Sequence, residues 1–100
     1  MEIRNIRIDE KELDSLLRCF NVDTLSLFGS ALSGDFTPDS DIDLLVEFRK
    51  QNPVSFFDFL ELKRRLKKLF QRDVDMVERD SIINPYRREE ILTHSVKIYG

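Results

Sequence analysis

The stretch Ser40-Asp41-Ile42-Asp43-Leu44-Leu45-Val46-Glu47-Phe48 decides the fold. Side chains alternate along a strand, so Ile42, Leu44, Val46 and Phe48 share one face, and Asp41, Asp43, Leu45 and Glu47 share the other. An aliphatic face of this kind marks a core strand. Asp41 and Asp43 project together from the opposite face, with Cβ atoms roughly 6–7 Å apart. Two carboxylates held that close repel each other and destabilise the chain unless a cation sits between them. Ordinary surface alternation would more often place Lys, Thr or Glu there.

Working outward, Asp9 to about Phe20 predicts a first helix. Asp9 is its cap, Glu12 the partner of a capping box, and Leu13, Leu16, Leu17 and Phe20 lie on one face. Asp23 to Phe28 reads as a strand ended by Gly29, followed by a helical turn over Ser30–Ser33 and a loop over Gly34–Ser40. Asn52-Pro53 is expected to open a long helix to about Phe70, with Phe56, Phe59, Leu62, Leu66, Leu69 and Phe70 as its apolar stripe. Asp73 to Glu78 predicts a third strand, and Asn84-Pro85 a last helix to about Val96. The expected architecture is α/β in the α+β sense: a small mixed sheet of three strands with flanking helices.

One hundred residues imply a single domain spanning 1–100, which buries roughly 60–65 % of its unfolded surface. No run of apolar residues approaches the ~20 needed to cross a bilayer, and Met1-Glu2-Ile3-Arg4 lacks a signal-peptide core. Cys19 is the only cysteine, which excludes an internal disulfide and suits a reducing cytoplasm. Its neighbours Leu16, Leu17 and Phe20 lead us to expect it buried. The net charge of −3 argues against a general duplex-binding protein. Lys63, Arg64, Arg65, Lys67 and Lys68 read first as a solvated helix face suited to the macrodipole. Phe56, Phe57 and Phe59 read as core, with exposure of one of them as a partner contact the alternative, and His94, with no second His or Cys nearby, as a plain helix position.

Asp39, Asp41 and Asp43 also have the spacing that opens an EF-hand loop, but Leu44 stands where that loop needs Gly and Lys50 where it needs Glu. Calcium binding of that kind is excluded. On the third strand Asp73 and Asp75 share a face. Asp75 is the better companion for Asp41 and Asp43, because it sits within Val74, Met76 and Val77, where a free carboxylate would be costly. Gly29-Ser30 comes eleven residues before Asp41. Glycine lets a phosphate approach the backbone, and a serine hydroxyl with nearby amides can bind it.

Gly29-Ser30, then Ser40-Asp41-Ile42-Asp43-Leu44-Leu45-Val46, then Val74-Asp75-Met76-Val77 resembles the polymerase-β-type nucleotidyltransferase superfamily. The short chain and the form Phe28-Gly29-Ser30-Ala31 are similar to its minimal members, the MNT domains, and the likeness runs from about Thr24 to Tyr99. Small members often carry Arg between the positions of Ala31 and Gly34, where this chain has Leu32 and Ser33; that bears on substrate affinity rather than chemistry. The resemblance implies a polymerase-β-like fold and two magnesium ions. Asp41, Asp43 and Asp75 would be metal ligands and catalytic residues, and Gly29 and Ser30 would hold the phosphates of ATP. It implies, further, an antitoxin that transfers AMP to a tyrosine hydroxyl of a helical HEPN toxin. A second copy or the acceptor itself could complete so small a site. Two other readings stay open: a non-catalytic antitoxin that neutralises its partner by steric cover, and nucleotidyl transfer to a small molecule.

Overall fold

The computed structural model describes residues 2–3, 6–32, 37, 39–51 and 54–100. Two short antiparallel strands, β1 (Glu2–Ile3) and β2 (Ile6–Arg7), precede α1 (Glu10–Cys19). Asp9 caps α1, its carboxylate accepting from the amides of Lys11 and Glu12 at 2.9 and 3.2 Å. Then come β3 (Val22–Phe28), a 3₁₀ turn (Gly29–Leu32), β4 (Ile42–Phe48), α2 (Phe56–Phe70) and β5 (Val74–Glu78). A second 3₁₀ turn (Arg79–Ser81), α3 (Pro85–Thr93) and β6 (Val96–Tyr99) complete the order.

Four strands form the main sheet in the order β5-β4-β3-β6. β3 pairs antiparallel with β4 and β6, while β4 and β5 are parallel and joined through α2. The sheet is mixed, as expected, but it has one strand more than the sequence suggests. The last helix stops at Thr93 instead of reaching Val96, and Val96–Tyr99 turns into β6. Val, Ile and Tyr favour a pleated half-buried surface, and the edge of β3 offers their backbone a ladder that helix periodicity does not reveal.

α2 also begins later than expected. Ser55 is its cap, the hydroxyl accepting from the Asp58 amide at 3.1 Å; Asn52 and Pro53, the predicted start, lie outside the described residues. Leu62, Leu66 and Phe70 of α2 and Leu13 and Leu17 of α1 pack on Leu25, Leu27, Ile42, Leu44, Val46, Val74 and Met76 of the sheet. This is the main core, and it covers one sheet face. On the other face Ile82 and Ile91 close over Leu45 with Phe28, Val77 and Leu92 in support.

Two expectations about burial are corrected. Cys19 is exposed, because Leu13 and Leu17, four residues apart, take the inward stripe and leave a residue two positions on facing out. Phe56 and Phe57 are 70 % and 81 % exposed. Phe57 is off the stripe in helical phase, and Phe56 lies a turn before Phe59, the first residue of α2 packed against the core. No helix among the described residues is long and apolar enough to cross a membrane.

Candidate active site

The second sheet face is laid out in rows. In the first row Phe28 on β3 stands opposite Asp43 on β4, and Asp43 opposite Asp75 on β5. Ser26, Leu45 and Val77 form the next row. In the third, Glu47 accepts from the Arg79 guanidinium at 3.0 Å and the Thr24 hydroxyl at 3.4 Å. The α3 side covers the middle row around Leu45 and leaves the Asp75 end exposed.

The contrast between the two acids of β4 is informative. Glu47 has a cation beside it, which is how a protein keeps a half-buried carboxylate for structure. Asp43 has none. Burial pushes its proton affinity up, and the charges of Asp75 and Asp41 push it further, against a hydrogen bond from the Ser30 amide. Asp43 is therefore short of positive charge in a way a cation would relieve. Perturbed acids of this kind gather at functional sites.

Gly29 and Ser30 close the site from the end of β3. Gly29 has φ +72°, and a Cβ there would overlap the Asp43 carboxylate. Glycine is demanded twice, by backbone conformation and by the carboxylate's approach. The Ser30 amide donates to Asp43, and its hydroxyl donates to the Asp41 carbonyl at 3.4 Å.

The residues singled out in the sequence thus meet at one edge of one sheet face, but not all for the reasons given. Asp75 is exposed, not sunk in an apolar run; parity and register, not burial, put it beside Asp43. Asp41 is exposed and precedes β4. Asp73 is solvated, as expected, and paired with Lys67 at 2.6 Å. Leu32 is 38 % exposed, and Ser33 lies outside the described residues. The basic cluster of α2 is largely absorbed locally. Arg64 and Arg65 grip Glu61, Arg65 also lies over the Phe20 ring at 5.9 Å, and Lys67 holds Asp73.

The donor set fits a hard divalent cation. Among the described residues no three acidic, histidine or cysteine side chains are gathered tightly enough to cage an ion by themselves. Magnesium does not need such a cage; it keeps waters and takes one or two carboxylates together with phosphate oxygens. Asp43 and Asp75 in one row, with Asp41 at the mouth, suit that kind of shared coordination.

Residues 6–98 match the nucleotidyltransferase domain family. This chain belongs to that family. As a nucleotidyltransferase it is 39 % identical over 90 residues to a Methanocaldococcus jannaschii protein named as a candidate protein adenylyltransferase, covering 90 % of this chain and 88 % of the relative. The structure of a candidate minimal nucleotidyltransferase superposes with a TM-score of 0.76 at 29 % identity, covering 96 % of this chain and 95 % of that one. A toxin–antitoxin crystal structure with AMP-PNP superposes with a TM-score of 0.72 at 25 % identity, over 93 % and 74 % of the two chains. The enzyme class and fold expected from the motif are borne out.

One residue escaped the sequence reading. Arg72 donates to the carbonyls of Thr37 and Ser40, 35 and 32 positions away in the chain. No local pattern signals a bond across that separation.

Proposed function

We propose that this nucleotidyltransferase transfers AMP from ATP to a hydroxyl of a partner protein, a helical toxin of the HEPN type, as its antitoxin. The observation that carries the reading is the row Asp43–Asp75, beside Gly29 and Ser30, with no cation facing Asp43 among the described residues. Asp41, Asp43 and Asp75 would hold two magnesium ions. Bound there, the ions would lower the charge on the triphosphate and stabilise the attacking and leaving oxygens together.

The remaining work falls to the chain. Gly29, with no Cβ, lets the Asp43 carboxylate lie against the turn that follows β3. Ser30 presents an amide and a hydroxyl at the same edge, the amide turned to Asp43 and released to phosphate oxygens once that carboxylate is drawn to a cation, the hydroxyl held at the Asp41 carbonyl by a long bond of 3.4 Å. Asp75, exposed at the end of its row, is best placed to face an incoming hydroxyl. The acceptor oxygen attacks the α-phosphorus, the bond to the bridging oxygen breaks, and pyrophosphate leaves as the acceptor proton passes to solvent or a carboxylate.

The adenylyltransferase name of the Methanocaldococcus relative and the AMP-PNP in a related toxin–antitoxin structure support adenosine as the nucleoside and a protein as the acceptor. The exposed pair Phe56 and Phe57 favours a second reading, in which the chain neutralises its partner by cover alone. Incubation with a helical protein of the HEPN type, labelled ATP and Mg²⁺ separates the two. A mass gain of one AMP on the partner, lost with Asp43→Ala, is the expected result. Neutralisation that survives Asp41→Ala and Asp43→Ala without AMP transfer would replace catalysis by steric cover, and label on a small acceptor alone would replace the protein substrate.

A further inference from the structure

Asp43 and Asp75 are fixed by the β4–β5 ladder, but Asp41 stands before β4 begins and has no ladder to hold it. The first backbone bond between these segments is one residue later, from the Ile42 amide to the Asp73 carbonyl at 2.9 Å. Asp41 itself accepts the Ser30 hydroxyl on its carbonyl, at 3.4 Å. A carboxylate that must share an ion with two rigid partners needs a firmer anchor than this.

We propose that Arg72 is the positioning residue for Asp41. Its Nη1 donates to the Thr37 carbonyl at 3.0 Å and to the Ser40 carbonyl at 3.3 Å. The Ser40 carbonyl and the Asp41 amide belong to one planar peptide, so gripping the oxygen sets the plane from which Asp41 departs. The turn being gripped is internally tied. The Ser40 amide donates to the Thr37 carbonyl at 3.0 Å, and the Thr37 amide to the Ser40 hydroxyl at 2.9 Å.

Arg72 is itself well placed to act as an anchor. Gln71 ends α2 in the left-handed region with φ 54°, and the amides of Gln71 and Arg72 both return to the Lys67 carbonyl. This cap turns the chain directly into β5, which carries Asp75. One guanidinium thus ties the approach to Asp41 to the root of the strand bearing Asp75. Charge-assisted bonds of this kind are about twice as strong as neutral ones.

The inference rests on the reading of Asp41 as an ion ligand, so its test has one arm independent of that reading. Backbone ¹⁵N relaxation is compared in the full chain and in Arg72→Met, with Mn²⁺ affinity measured in the presence of ATP by water-proton relaxation. The expected result is loss of order at Ser40 and Asp41 with Asp43 unchanged, and Mn²⁺ binding weaker by about tenfold. Arg72→Lys, which keeps a charged donor, recovers part of both. Unchanged order at Asp41 together with unchanged Mn²⁺ affinity in Arg72→Met overturns the proposal. A wild-type chain that binds no Mn²⁺ with ATP sinks the transferase reading instead, and the order of Asp41 then decides the clamp alone. Should Arg72→Met fail to fold, Arg72→Gln supplies the same comparison.

Discussion

Asp43 and Asp75 stand opposite each other in the parallel β4–β5 ladder, so two like charges occupy neighbouring places on one sheet face. Burial, Asp75 and Asp41 together raise the proton affinity of Asp43 above its ordinary value of 3.8. A raised acid pKa means the folded state binds the proton more tightly than the unfolded one. Stability is then fully present below 3.8 and declines as pH rises through the higher folded value.

Replacing that charge should therefore stabilise the metal-free protein. Asp43→Asn keeps an acceptor for the Ser30 amide and removes the repulsion. In EDTA at neutral pH its melting temperature should exceed that of the wild type by roughly 2 °C, a modest gain because the site is open to solvent. At pH 3 the difference should vanish. A lower melting temperature at neutral pH would show that Asp43 is not under repulsion.

The same substitution should remove activity. Asp41→Ala, Asp43→Ala and Asp75→Ala are each expected to lower AMP transfer by about a thousandfold or more, and the double variants no further, since groups acting as a unit are non-additive. Circular dichroism should show all of them folded. Full activity in Asp75→Ala would separate that residue from the site.

Gly29→Ala tests the approach to Asp43. The left-handed backbone at φ +72° costs an alanine about 1–2 kcal/mol, and its methyl meets the Asp43 carboxylate. Urea denaturation should report that loss, and transfer activity should fall by more than stability accounts for. Ala31→Gly, two residues on, serves as a control for backbone softening.

Helix α2 should respond unevenly along its length. Leu66 is fully buried, and Leu66→Ala should cost about 2–5 kcal/mol, enough to leave so small a fold marginal. Phe57 is 81 % exposed, and Phe57→Ser should change stability by no more than about 0.5 kcal/mol. If Phe57→Ser nevertheless weakens capture of the helical partner, the exposed ring belongs to the contact.

Glu61 offers a second pH test, away from the site. Hydrogen bonds from Arg64 and Arg65 hold its carboxyl at about 2, so its contribution to stability is present above about 4.5 and is lost as pH falls toward 2. An NMR titration should place Glu61 well below the other glutamates. Arg64→Ala or 1 M salt should move it up, because the group is exposed and its partners are screened.

What was legible in the sequence was periodic or local. Alternation along Asp41–Phe48 told the buried face from the acidic one, Gly29-Ser30 announced the turn, and Asp9 announced a cap. Parity put Asp41 with Asp43, and Asp73 with Asp75, on one face of their own strands, because a strand has only two sides; the β4–β5 register then set Asp43 beside Asp75. The tertiary structure decided what depends on neighbours distant in the chain. β6 exists because β3 had an edge to offer, and the exposure of Phe56 and Phe57 follows from where α2 meets the sheet. That Arg79 reaches Glu47, and that Arg72 reaches the peptide before Asp41, are contacts across about thirty residues. Spacing along a chain fixes which side of an element a group occupies; only packing of the elements fixes what it meets there.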